Sequence, residues 1–204
     1  MTALSDAPAR PAEPPEQHLP PVVVAAGILV LLGGLFFSAV SRSELWLDEA
    51  LSVNIARLPI GDLHAALKQD GAPPLYYLLL HVWTGIFGSG NEAARTLSGL
   101  CMAGAAVAIF FATQRFVNRT AAWIAVIVVA TSPYAIRYAT EARMYALVVL
   151  LVACGTVAAQ RVIEKPSLGR LAVFALLVAL ALYTQYWCFY IVGVAGLLFA
   201  WMWW

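Results

Sequence analysis

Six stretches of this chain, at about 22–40, 95–113, 121–136, 144–160, 171–186 and 188–204, are apolar over a length close to the ~20 residues that a bilayer's hydrocarbon core demands of a helix. That pattern leaves few folds open. Inside a bilayer every backbone N–H and C=O must be satisfied within the protein, which a helix does alone and a strand does only in a closed barrel. The fold class expected is all-α. It is a polytopic transmembrane bundle of about six spanning helices with amphipathic helices lying beside the membrane. Composition agrees: 62% of residues are hydrophobic, 11% are charged, and the mean hydropathy is +0.81. Soluble domains sit near 45–50% apolar. A formal net charge of +1 gives no electrostatic footing for nucleic acid. Cys101, Cys154 and Cys188 each lie inside an apolar segment and read as small buried hydrophobes, without metal-ligand spacing or a disulfide framework.

Residues 1–21 hold six of the eleven prolines together with Asp6, Glu13 and Glu16, and read as a disordered tail preceding one membrane domain, 22–204. The run from Val22 to Val40 follows an acidic, Pro-rich start and precedes no small-residue cleavage site, so it reads as a retained helix and not a signal peptide. The segment "LYYLLLHVWTGIF", 75–87, has thirteen residues and rises only ~20 Å against a core near 30 Å. Charge supports leaving it on the outer face. The loops carrying Arg115, Arg119, Arg161, Lys165 and Arg170 then fall in the cytoplasm, as the positive-inside bias requires. Seven of the eleven acids, Glu44, Asp48, Glu49, Asp62, Asp70, Glu92 and Glu141, then lie outside. The outer side carries one long loop, 41–94, and a shorter one near 132–143.

Within the long loop, Ser41-x-x-Glu44 has the form of a capping box, and Leu47, Leu51, Ile55 and Leu58 follow a helical period ending at Pro59. A second short amphipathic helix is expected from Gly61 to Gln69, and Asn91 and Thr140 are expected as N-caps of the membrane helices after them. The chemistry-bearing residues cluster in these loops. "LWLDEAL", 45–51, places Asp48 and Glu49 side by side. Carboxylates in a first helical turn are favoured by the helix dipole, by about 0.3–1 kcal/mol. A carboxylate at a lipid–water boundary can equally serve as a general base. The two point about 100° apart around a helix, so they cannot share one role. "SPYAIRYATEARMYALVVLL" brings Arg137, Glu141 and Arg143 to the ends of two membrane helices, where ionisable groups are costly and suggest function. Snorkelling and helix-start charges account for them structurally. Arg95 opens another membrane helix, where it is a functional cation or simply a headgroup anchor. His64 and His81 stand alone and make poor metal candidates, and Trp201, Trp203 and Trp204 suggest an interfacial aromatic belt.

The order "LWLDEAL", "DGAPPLYYLLLHVW", "NEAARTLSGL", "SPYAIRYATEARMYALVVLL" resembles the GT-C-type integral membrane glycosyltransferases, in particular the bacterial group similar to protein O-mannosyltransferases and lipid A glycosyltransferases. The resemblance runs from Val22 to Trp204. It implies a sugar donor linked to a polyprenyl phosphate and an acceptor hydroxyl on a glycan, lipid or protein. It also implies an active site on the outer face of the plasma membrane. The first-loop acid at the chemistry maps onto Asp48, and Glu49 matches the acid that follows it. Asp70, Arg95, Glu141, Arg143 and Tyr145 match residues lining the cavity, with Arg95 and Arg143 suited to the departing phosphate. Ala72 and Gln185 stand where many relatives have His, which weakens a metal or histidine-assisted step; the family pattern still leaves room for a divalent cation. Relatives run well beyond this length, so the resemblance implies an N-terminal fragment. The rival readings are a membrane transporter, which would place charges mid-bilayer, and a catalytically silent assembly subunit of the same fold.

The topology is checked by labelling. In a background lacking Cys101, Cys154 and Cys188, the variants Val117→Cys and Ser167→Cys should both resist membrane-impermeant thiol reagents in intact cells. Ready modification of either from outside rejects this arrangement.

Overall fold

The computed structural model describes residues 44–203, with Gly33 upstream. The expected tail (1–21), the first spanning helix (Val22–Val40) apart from Gly33, Ser41 of the capping box and Trp204 lie outside the described residues. The described residues are helical throughout, with short connections and no strand. In chain order the helices are α1 (Leu47–Ala56), α2 (Ile60–Asp70), α3 (Leu75–Phe87), α4 (Asn91–Phe116), α5 (Arg119–Thr131), α6 (Pro133–Ala139), α7 (Tyr145–Glu164), α8 (Leu168–Thr184) and α9 (Cys188–Trp203). α4 and α7 are long and apolar enough to cross a membrane. α5 and α6 make a third crossing if taken as one broken span, and α3, α8 and α9 are shorter apolar helices. The molecule is a helical membrane bundle.

Its spine is α4 packed on α7. Small side chains on α4, among them Ser98, Ala105, Ala108 and Ala112, are buried and let the two backbones approach closely. At Gly104 a Cβ would sit 3.2 Å from the Leu150 Cδ1 methyl. The two helices run parallel: Arg95 and Ser98 near the start of α4 lie beside Ala142 and Arg143 just ahead of α7, whereas Arg115 at the end of α4 pairs with Glu164 at the end of α7. Gln160 reinforces that far end by donating from Nε2 to the Ala112 carbonyl at 2.9 Å. α5 and α6 therefore carry the chain back, and the basic loops gather at the end opposite Asp48.

Local chemistry sets the boundaries. α2 stops at Gly71, whose φ of 71° is left-handed and suits a residue without Cβ. α3 begins directly after Pro74, which has no N–H to leave unpaired. Several expectations are corrected. The run 121–136 is not one helix: Ser132 is extended before Pro133, and the chain bends by 66° between α5 and α6. Asn91 is the first residue of α4, capped by Gly90. Thr140 closes α6, its hydroxyl donating back to the Ile136 and Arg137 carbonyls, and Met144 precedes α7. On α1 the leucine stripe splits. Leu47 and Leu51 face outward, and the packed face is Glu49, Ser52, Val53, Ile55 and Ala56.

The close approach at Gly104 has a measurable consequence. Gly104→Ala asks only a flexible methyl to yield and should leave thermal stability in detergent nearly unchanged. Gly104→Leu overpacks the α4–α7 contact and should cost about 1–3 kcal/mol. Equal stability of the two variants would show that the helices separate freely at this level.

Candidate active site

Asp48 and Glu49 occupy the first turn of α1 and diverge as their spacing demands. Glu49 turns inward and is 1% exposed. Its Oε1 accepts from Arg95 Nε at 3.0 Å and from the Ala142 backbone N–H at 2.7 Å. Its Oε2 accepts from Arg95 Nη2 at 2.7 Å and from the Trp46 N–H at 3.0 Å. The last of these also satisfies one of the donors that a helix start leaves open. Arg95, 3% exposed, makes a two-point fork on this carboxylate and donates to the Glu44 carbonyl at 3.0 Å. Burial pushes the Glu49 carboxyl up, but the Arg95 fork and the Ala142 and Trp46 amides outweigh it and hold the group below its ordinary value of 4.5. These contacts join α1, the start of α4 and the turn before α7.

Asp48 does the opposite. Its side chain is 67% exposed, and its Oδ2 lies 3.9 Å from Arg143 Nη2. Arg143 is only 15% exposed. Its Nη1 donates to the Asp48 carbonyl at 3.3 Å and reaches Ser52 Oγ at 3.5 Å. Its guanidinium carbon sits 5.8 Å from the centre of the Tyr145 ring, a cation–π arrangement. The Arg143 Nε is buried with no hydrogen-bond partner among the described residues. A buried donor of this kind costs free energy until something accepts from it. Ser98 donates to the Arg143 carbonyl at 3.4 Å, fixing the turn to α4.

The neighbouring α3 supplies the other wall. Tyr77, buried, donates from its hydroxyl to Asp70 Oδ2 at 3.0 Å, and burial together with the Asp70 charge pushes its phenol up to about 12. His81 donates from Nδ1 to the Ala56 carbonyl at 2.7 Å and so ties α3 to α1. Glu141 faces Arg137 at 3.8 Å. Of the expected site residues, Asp48, Arg143 and Tyr145 come together directly, and Asp70 joins through Tyr77. Glu49 and Arg95 meet each other behind them. Among the described residues no three His, Cys, Asp or Glu side chains converge as a metal site. Ser52, Tyr77 and Ser98 complete the arrangement and were not singled out in the sequence. Only Ser52, one turn beyond Asp48, carried a local signal.

A family model described as dolichyl-phosphate-mannose-protein mannosyltransferase matches residues 71–204. No curated protein and no solved structure matches the chain. The matched region contains Tyr77, Arg95, Glu141, Arg143 and Tyr145, and begins just after Asp70.

Removing one partner of a buried ion pair leaves the other charge uncompensated, so Glu49→Gln should cost about 3–5 kcal/mol near pH 7. Because the folded carboxyl lies below 4.5, its stabilisation is present above that value and lost as pH falls through the folded one. The stability gap between wild type and Glu49→Gln should therefore narrow below about pH 4.5 in acid-range thermal melts. A gap that is constant with pH would mean that the carboxylate's charge is not what holds this junction.

Proposed function

This chain belongs to the dolichyl-phosphate-mannose-protein mannosyltransferase family, a GT-C type of glycosyltransferase, and on that premise we propose that it moves a sugar from a polyprenyl-phosphate carrier to an acceptor hydroxyl, with inversion, at the outer face of the plasma membrane. The observation that carries the proposal is the juxtaposition of an exposed carboxylate, Asp48, with a largely buried guanidinium, Arg143, that still has an N–H to give. Such a pair separates the two charges the reaction needs. Asp48 accepts the proton of the incoming hydroxyl, whose oxygen forms the new bond to the anomeric carbon. The anomeric C–O bond to phosphate breaks on the opposite face, and the polyprenyl phosphate departs as an anion. Arg143 receives that charge, with Nε and Nη2 presenting a fork to the phosphate oxygens. Tyr145 supports the guanidinium from its ring face.

Glu49 and Arg95 take a different role from the one their charge suggests. The fork of Arg95 is directed at Glu49, so the pair acts as positioning residues that set α1, and with it Asp48, against the Arg143 turn. Asp70 and Tyr77 form the wall nearest the acceptor. A transporter would place its ionisable residues mid-bilayer. In α4 and α7 the charged residues lie near the helix ends, as Glu92, Arg95, Arg115, Arg161 and Glu164.

Asp48→Asn keeps size and most hydrogen bonding but cannot take a proton. In membranes supplied with a polyprenyl-phosphate-linked sugar it should lose transfer by about 10²–10⁴-fold at unchanged expression and donor binding. Glu49→Gln should be milder per folded molecule. Arg143→Lys replaces a fork by a point charge and should weaken donor use while the protein still inserts. Near-normal turnover of Asp48→Asn returns that residue to an ordinary helix-start charge, and wild-type donor affinity in Arg143→Lys moves the phosphate contact elsewhere.

A further inference from the structure

At the end of the bundle away from Asp48 a groove of about 570 Å³ runs between α4, α7 and α8. Gly104 and Phe111 lie on its α4 side and Cys154 on its α7 side, so most of its length is apolar. From Gly104 to Phe111 it follows about 10 Å of helix, almost two turns. Its mouth is different. Arg161 and Arg170 line it there, beside Gly169. Arg170 is held in place by donating from Nη1 to the Arg161 and Lys165 carbonyls at 2.8 and 2.9 Å. The nearby carboxylate, Glu164, is occupied by Arg115. A hydrocarbon slot closed by two guanidinium groups, in a bundle that sits in lipid, matches one chemistry: an acyl chain carrying a phosphate headgroup.

We propose that this groove is a binding site for an anionic phospholipid, with the headgroup phosphate on Arg161 and Arg170 and one acyl chain laid along α4 toward Gly104. The lipid fills the seam between α4, α7 and α8 and fastens the basic end of the bundle, far from the site of sugar transfer. Arg170 brings to the contact the donors it does not spend on the Arg161 and Lys165 carbonyls. A zwitterionic lipid offers the same tail but adds a cation at the mouth, where two arginines already stand.

The test uses the purified chain in nanodiscs of dioleoylphosphatidylcholine containing dioleoylphosphatidylglycerol, with retained lipid counted by native mass spectrometry. Phosphatidylglycerol should be retained in preference. Each arginine near a headgroup is worth about fivefold in affinity, so Arg161→Gln with Arg170→Gln should lower retention by roughly twenty-five-fold. Arg119→Gln, at the same end but outside the groove, should change nothing. Gly169→Leu keeps both arginines; a Cβ there meets no atom within 4 Å, so the side chain fits the fold while filling the groove, and retention should fall. On the unaltered chain, phosphatidylglycerol should slow modification of Cys154 by a membrane-permeant maleimide. Equal retention of the two lipids, an Arg119→Gln loss as large as that of the groove arginines, full retention by Gly169→Leu, or unprotected Cys154 would each overturn the assignment.

Discussion

The buried pair of Glu49 and Arg95 is the contact on which the arrangement of this end of the bundle rests. Transferring two charges out of water is expensive, and their mutual attraction offsets that cost only when the remaining hydrogen-bonding capacity is satisfied. Here it is: both carboxylate oxygens accept from the Arg95 fork, and each also accepts from a backbone amide, Ala142 on one and Trp46 on the other. The pair adds placement more than net stability. Val53, Ile55 and Ala56 pack without directional contacts, so the hydrogen bonds of Glu49 are what fix the rotation of α1. A two-point fork and a backbone amide admit one rotation.

That placement creates the asymmetry of the candidate site. With Glu49 turned inward, Asp48 is carried about 100° around α1 into the open, and the neighbouring turn delivers Arg143 to meet it. Each cation then has its own carboxylate partner. Arg95 is committed to the fold, whereas Arg143 keeps a buried Nε in reserve and touches Asp48 only loosely, at 3.9 Å. Tyr77 and Asp70 add a second carboxylate on the far wall, held by a phenol whose proton burial makes hard to remove. The chemistry is concentrated where α1, α3 and the turn ahead of α7 converge, while the spanning helices beneath are almost wholly apolar.

Much of this was legible in the chain itself. Apolar length and proline placement locate α3, α4, α7, α8 and α9 to within a few residues, and the segregation of Arg115, Arg161, Lys165 and Arg170 from the described acids other than Glu164 corresponds to opposite ends of the bundle. That Asp48 and Glu49 must diverge followed from helical geometry alone, but which of them turns inward did not, because the expected leucine stripe is not the packed face. The partner of Glu49 did not, because Arg95 is 46 residues away and no local pattern encodes which of two exposed-looking arginines will be consumed by packing. The break at Ser132 is different in kind, because its signal is local: Pro133 disfavours a helical conformation at Ser132 and has no N–H with which to continue α5, and apolar length alone passes over it. Misplaced caps at Asn91 and Thr140 arose from reading residue type without the backbone angles that decide a cap.

The bond from Glu49 to Ala142 ends on main chain, not on a side chain. A clasp of that kind does not read the side chain at 142, beyond requiring one as small as Ala142, which is fully enclosed. It is intolerant of a change in the number of residues that lead to it. One residue inserted or deleted between Pro133 and Ala142 would present a different amide to Glu49 and rotate Arg143 away from Asp48. In descendants of this chain position 142 is therefore free to change among small residues, while the turn is bound to keep its length.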